Sequence, residues 1–90
     1  MNEDEFKKIY KELKSIIEEV DPAGFGAEGE YDDVLFSIIR DNQNLAKEDV
    51  FVQNTARIIA ERFGLNVEDL VEPVAEFAKK VYQVYPQGLR

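Results

Sequence analysis

Apolar residues recur at steps of three and four in four separate segments of this chain, which is the spacing of one face of an α-helix. No segment alternates apolar and polar residues over the length of a strand. The first segment predicts a helix from about Glu3 to Glu19, with Asn2 as its N-cap and Glu5 completing a capping box. Pro22 stops this helix because a proline lacks the backbone N–H that a helix interior requires.

The second and third segments predict two more helices. Helix 2 is expected from near Glu30 to near Asp41, and Phe36 lies at the margin of its apolar face, where we expect it to be exposed. Helix 3 is expected to begin between Asn44 and Lys47, with Asn44 as one candidate cap, and to end at Phe63.

The fourth segment follows Gly64, which is well placed to end helix 3. Pro73 leaves two alternatives, because a proline costs about 3 kcal/mol deep inside a helix and little at the first helical position. We therefore predict a short turn at Val67–Leu70 and then a helix from about Glu72 to Tyr85. The last two residues, Leu89 and Arg90, are expected to fray.

Four amphipathic helices with short connections predict an all-α fold, a compact bundle of four helices that forms a single domain over residues 1–90. The net charge is −8, from 19 acidic and 11 basic residues. This excess repels phosphate backbones and anionic membranes, so neither nucleic acid nor a membrane is an expected partner. A basic protein partner fits the charge better.

The composition also excludes several kinds of chemistry. The chain has no cysteine and no histidine, which excludes disulfides, thiolate nucleophiles, Cys-based metal sites and a serine hydrolase of the usual kind. The acidic N-terminal segment is unlike a signal peptide, and no apolar run has the length of a membrane span. We expect a cytoplasmic protein without a cofactor.

The longest segment without helical periodicity is the loop that connects helices 1 and 2, Asp21–Asp33, and it contains five carboxylates. Our first interpretation is structural. The Asp21 carboxylate would accept hydrogen bonds from loop amides two or three residues further on. Tyr31 would insert its ring between helices 1 and 2, with its hydroxyl on a polar partner near the loop. The candidate structural or interaction residues are Asp21, Pro22, Gly24, Phe25, Glu30, Tyr31, Asp32 and Phe36.

The loop suggests three catalytic or ligand-binding interpretations. Gly24, Gly26 and Gly29 spell G-x-G-x-x-G, but a dinucleotide fingerprint must follow a strand, and here it follows a helix. The twelve residues from Asp21 match an EF-hand at the sixth position and fail at the third and fifth, where ligands are needed. We therefore predict no catalytic, cofactor or metal residue. The alternative function is divalent-cation binding or carboxylate-dependent hydrolysis by this loop.

The favoured function is protein interaction by a small non-enzymatic regulatory domain. Four aromatic residues are candidate anchors for an interface: Phe25, Phe36, Tyr82 and Tyr85. Tyrosine beside carboxylates suits a basic partner. The expected oligomeric state is a monomer or a weak homodimer.

Two resemblances bear on this reading. Asp21-Pro22-Ala23-Gly24, Glu30-Tyr31-Asp32 and the apolar segment that runs into Phe63-Gly64 resemble the YugE-like family of small bacterial proteins of unknown function. The likeness covers about residues 15 to 64 and implies a bacterial source and a helical fold, with no catalytic residue. The chain is also similar in size and charge to small acidic four-helix inhibitors of bacterial nuclease toxins, although it lacks their Y-Y-P signature.

Overall fold

Four α-helices form the fold in a computed structural model, which describes residues 1–44 and 47–89. They are α1 (Glu3–Val20), α2 (Asp32–Asp41), α3 (Glu48–Phe63) and α4 (Val67–Val84). No strand occurs in these two ranges, so the predicted all-α bundle is confirmed. Each helix packs on two others, in the cyclic order α1, α2, α3, α4 and back to α1. The four apolar faces thus enclose one core.

Two of the predicted helix ends are confirmed in atomic detail. The Asn2 side chain accepts a hydrogen bond of 2.8 Å from the Glu5 amide and donates one of 3.0 Å to the Glu5 carboxylate. Gly64 follows α3 with a φ of 68°, and the amide of Leu65 donates to the carbonyl of Ala60. A left-handed residue at this position lets the chain turn away while the last carbonyls keep their partners.

The predicted break before Pro73 is wrong, because α4 is continuous from Val67 and contains this proline. The helix continues because Leu70, only 3% exposed, lies on the same face as the fully buried Val74 and Phe77. Burial of a leucine contributes about 1.5–3 kcal/mol, which offsets much of the cost of the missing amide. Asn66 is the N-cap, without a side-chain bond to a helix amide.

The predicted fraying of the C-terminal segment is also wrong for Leu89, which is 1% exposed. The backbone of Leu89 pairs with Gln43, and its carbonyl accepts a hydrogen bond of 2.8 Å from the amide of Asn44. The segment therefore folds back and supplies an apolar side chain to the core. Arg90, to which the same prediction applied, lies outside the described residues.

The starts of α2 and α3 differ from their predictions by one or a few residues. α2 begins at Asp32 rather than near Glu30, after a turn closed by the Asp32 amide on the Gly29 carbonyl. α3 begins at Glu48 with Lys47 as its N-cap. Asn44 does not cap α3, because it adopts a left-handed φ of 65° and binds the C-terminal segment instead. Leu45 and Ala46, also in the predicted start region, lie outside the described residues.

Candidate functional site

The Asp21 carboxylate is the centre of a hydrogen-bond network inside the loop. It accepts bonds from the amides of Phe25 (3.0 Å) and Gly26 (2.8 Å) and from the Tyr31 hydroxyl (2.6 Å). The amide donors lie four and five residues further on, rather than the predicted two or three, since Asp21 itself turns the chain with a φ of 49°. The Tyr31 hydroxyl in turn accepts a bond of 2.8 Å from the amide of Ala23. Loop amides thereby find partners without water.

This network perturbs the acidity of both side chains. The hydrogen bond from Tyr31, together with those from the loop amides, holds the pKa of Asp21 below its usual range, because each bond favours the carboxylate form. Burial, together with the negative charge of Asp21, raises the pKa of Tyr31. Both oxygens of the charged Asp21 carboxylate therefore already accept hydrogen bonds within the loop.

A second carboxylate is engaged in the same way. Glu18 accepts a bond of 2.8 Å from the amide of Gly29, which holds the pKa of Glu18 below its usual range. Lys14 donates to Glu18 at 3.1 Å and to Asp32 at 2.6 Å, so it joins α1 to the start of α2. Asp33 pairs with Arg62 of α3 at 2.6 Å. The acids of this region thus make contacts with the loop backbone and with side chains of α1 and α3.

The other predicted site residues of the loop divide into buried and exposed groups. Phe25 is half-buried, with its ring 4.6 Å from that of Phe63 and 5.3 Å from that of Tyr31. Pro22 is buried, and Gly24 makes the turn with a φ of 72°. Glu30 is exposed. Phe25 therefore packs against the core through its contacts with Phe63 and Tyr31 and is only partly exposed.

The arrangement of the loop carboxylates bears on the alternative of cation binding or hydrolysis. Within residues 1–44 and 47–89, no group of three or more acidic side chains is arranged to hold a metal ion. A cavity of about 260 Å³ lies between Glu18, Asp21 and Glu28. Its carboxylates at Glu18 and Asp21 already accept hydrogen bonds from the loop backbone.

A different surface, formed by α1 and α2, carries exposed aromatic side chains. Phe36 is 54% exposed, as predicted, and its ring centre lies 5.4 Å from that of Phe6 on α1. The ring of Tyr10, one turn along α1, lies 6.2 Å from that of Phe6. Phe6 and Tyr10 are only partly buried. We call these three residues, Phe6, Tyr10 and Phe36, the aromatic patch.

A shallow cavity of about 300 Å³ adjoins the aromatic patch on α1. Its lining residues are Phe6, Lys7, Tyr10 and Lys11, and its wall is almost entirely apolar. The two lysines therefore line the cavity with their aliphatic stems and carry their charges at its edge. Burial and the nearby carboxylate of Asp32 raise the pKa of Tyr10, so its hydroxyl is neutral at physiological pH.

This joint surface is not evident from the sequence, because the spacing of Phe6 and Tyr10 also places them on the apolar face of α1 that includes the buried Ile9 and Leu13. The available signal was the pair of lysines, Lys7 and Lys11, each one residue after an aromatic, which marks the edge of the apolar face. Tyr82 and Tyr85, the other proposed anchors, are half-buried. Tyr82 packs edge-on against Phe51 at 5.6 Å.

A buried polar cluster between α2 and α3 was missed as well. Asn42 is 1% exposed and donates to the Ile38 carbonyl at 2.7 Å and to the Thr55 hydroxyl at 3.4 Å. Its own side-chain oxygen accepts a bond of 3.2 Å from Asn54. The cluster is satisfied internally, which is typical of a structural role.

Comparisons with known proteins found no family model that matches the chain, and no similar protein among either the curated proteins or the solved structures. The resemblance to the YugE-like family therefore stays a prediction. In the described part of the chain, no helix has both the length and the apolar character that crossing a membrane requires.

Proposed function

We propose that this chain is a small non-enzymatic domain that regulates or inhibits another protein by binding it through the aromatic patch. The observation that supports this proposal is the exposure of Phe36, 54%, next to two further half-exposed rings. Aromatic side chains are enriched at the centres of protein interfaces, because each buries a large area at a low cost in side-chain entropy. The proposed setting is the bacterial cytoplasm, with the free protein a monomer or a weak homodimer.

The state of the acidic loop supports binding over catalysis. A catalytic or cation-binding carboxylate needs free lone pairs that face solvent or substrate. Both oxygens of Asp21 and one oxygen of Glu18 already accept hydrogen bonds from the loop backbone. The function proposed for the loop is therefore to connect α1 and α2 rigidly, which fixes the distance between Phe6 and Phe36.

The charge of the protein affects the choice of partner both at long range and at contact. At long range the net charge of −8 favours a basic partner. At contact, charges more than about 8 Å away are largely screened at physiological ionic strength, so the groups around the patch decide which side chains meet. These nearest groups include Lys7 and Lys11.

The test of this proposal is capture from a lysate of the source organism with three immobilised forms of the protein: wild type, Phe36→Ala and Val84→Ala. Val84 is the matched control, because it is 50% exposed and lies at the end of α4, outside the patch. We expect a protein that the wild type and Val84→Ala retain and that Phe36→Ala loses.

That protein would then be identified by mass spectrometry, purified and rebound in a two-component assay. Failure of the pure protein to bind, or equal capture by Phe36→Ala and the wild type, would contradict the proposal. Phe36→Ala should remain folded because its side chain is mostly exposed, and a circular dichroism melt checks this.

A further inference from the structure

The cavity beside the aromatic patch defines the shape of a partner side chain. Its volume of about 300 Å³ and its apolar wall suit one large aliphatic or aromatic side chain. The rings of Phe6 and Phe36, 5.4 Å apart, bring α1 and α2 together next to it. A cavity on one helix beside a partly exposed ring of a second helix is the kind of apolar surface on which an amphipathic helix docks.

Two lysines at the edge of this cavity carry a charge opposite to that of the whole protein, while the carboxylate of Asp32 lies near Tyr10. Lys7 and Lys11 line the cavity in a chain whose net charge is −8. Lys7 pairs at 3.3 Å with Glu3, but both side chains are well exposed, so this bond contributes little and is easily replaced. Among the described residues Lys11 takes part in no ion pair. Both cations are therefore available to carboxylates of a partner.

We infer that the aromatic patch binds an amphipathic segment of another protein that presents one large apolar residue with acidic residues beside it. This inference rests on the proposed function and specifies the chemistry of the partner. The apolar residue enters the cavity between Phe6 and Tyr10, and the acidic residues face Lys7 and Lys11. A second copy of this chain is disfavoured as the occupant, because two molecules of charge −8 repel each other on approach.

The experiment uses three synthetic helical peptides with the same apolar residues at positions i, i+4 and i+7. Their flanking residues are glutamate in the first peptide, lysine in the second and glutamine in the third. Each peptide is titrated into ¹⁵N-labelled protein. We expect the acidic peptide to shift the amide signals of Phe6 to Lys11 and of Phe36. We expect it to bind at least about tenfold more tightly than the lysine peptide, as complementary charges favour one partner over another.

The charge of the edge is tested with Lys7→Glu/Lys11→Glu. Lys8→Glu/Lys79→Glu is the matched control, because it changes the net charge equally at two exposed lysines that do not line the cavity. We expect the first pair to reverse the order of the acidic and lysine peptides, and the second pair to preserve it. An equal effect of both pairs would show that only the overall charge matters, and it would overturn the inference.

The remaining outcomes separate this inference from the proposed function. Tighter binding of the lysine peptide by the wild type would overturn the inference that the partner is acidic. The same conclusion would follow if no peptide shifted the amide signals of Phe6 and Phe36. If the lysate experiment nevertheless shows a protein that the wild type captures and Phe36→Ala does not, the proposed function stands and only the acidic partner is excluded. Sedimentation equilibrium tests whether a second copy of this chain occupies the patch. A wild-type dimer that Phe36→Ala converts to a monomer would assign the patch to a second copy and contradict the inference.

Discussion

The substitution Tyr31→Phe, which removes only a hydroxyl, tests most directly whether the hydrogen bonds of Tyr31 stabilise the loop. Tyr31 is 1% exposed, so its hydroxyl cannot exchange its bonds for water. The change removes a bond of 2.6 Å to the charged Asp21, which is worth about 1.5–3 kcal/mol. It also leaves the Ala23 amide without its acceptor, at a cost of about 1 kcal/mol. We expect the free energy of unfolding to fall by about 3 kcal/mol in total.

The measurement is urea unfolding at pH 7 followed by circular dichroism, with a thermal melt beside it. A loss of this size lowers the Tm of a small domain by more than about 10 °C. Tyr82→Phe is the matched control, because the Tyr82 hydroxyl is buried and has no hydrogen-bond partner within the described residues. Its removal should be neutral or slightly stabilising. A loss below about 1 kcal/mol for Tyr31→Phe, or equal losses for both variants, would refute the reasoning.

Tyr31→Phe should also change how the free energy of unfolding depends on pH in the acidic range. Because the folded protein holds the pKa of Asp21 below the value of the unfolded chain, about 3.9, the stability from Asp21 is complete above about pH 5. It is lost as the pH falls through the folded pKa. Tyr31→Phe removes the largest cause of the lowered pKa. The variant should therefore lose less stability than the wild type between about pH 5 and pH 2.

Three further changes test other parts of the fold. Asp21→Ala should lower the free energy of unfolding by about 1–3 kcal/mol without added metal. Glu28→Ala, at the exposed tip of the loop, should change the free energy of unfolding by less than about 0.5 kcal/mol. A rise in Tm for Asp21→Ala would favour a ligand-binding loop instead. Pro73→Ala should raise stability by about 1–3 kcal/mol in urea unfolding, because it restores an amide inside α4, and no gain would mean that the helix has adapted fully to the proline. Leu89→Ala should cost about 2–4 kcal/mol in the same assay, and a cost near zero would show that the C-terminal segment is not part of the core.

The sequence predicted those features that depend on local spacing. The Asn2 cap, the end of α3 at Gly64 and the exposure of Phe36 each follow from residues within one or two helical turns. The central role of Asp21 was also predictable, since an aspartate before a proline commonly binds nearby loop amides.

The features that the sequence did not predict depend on contacts between distant segments. Leu89 is buried because its backbone pairs with a loop more than forty residues earlier, and no local pattern encodes this pairing. α4 continues through Pro73 because tertiary burial of Leu70 and Val74 overrides the local preference. The aromatic patch likewise exists only because packing brings Phe6 and Phe36 from two helices within 5.4 Å.

The size of the contribution from Phe36 can be worked from its exposure. The exposed 54% of a phenylalanine side chain corresponds to about 100 Å² of apolar surface. At about 25 cal/mol per Å², its burial against a partner contributes up to about 2.5 kcal/mol, or roughly a 50-fold change in Kd. Because buried area converts to affinity only in part, a weakening of at least about tenfold is the expected lower bound.

Isothermal titration calorimetry of the purified partner with the wild type, Phe36→Ala and Val84→Ala tests the central claim most directly. The account predicts that Phe36→Ala weakens binding by about 10- to 50-fold, while Val84→Ala, which removes a similarly exposed side chain elsewhere, changes Kd by less than about threefold. An unchanged Kd for a folded Phe36→Ala would contradict the claim that this protein acts through its aromatic patch.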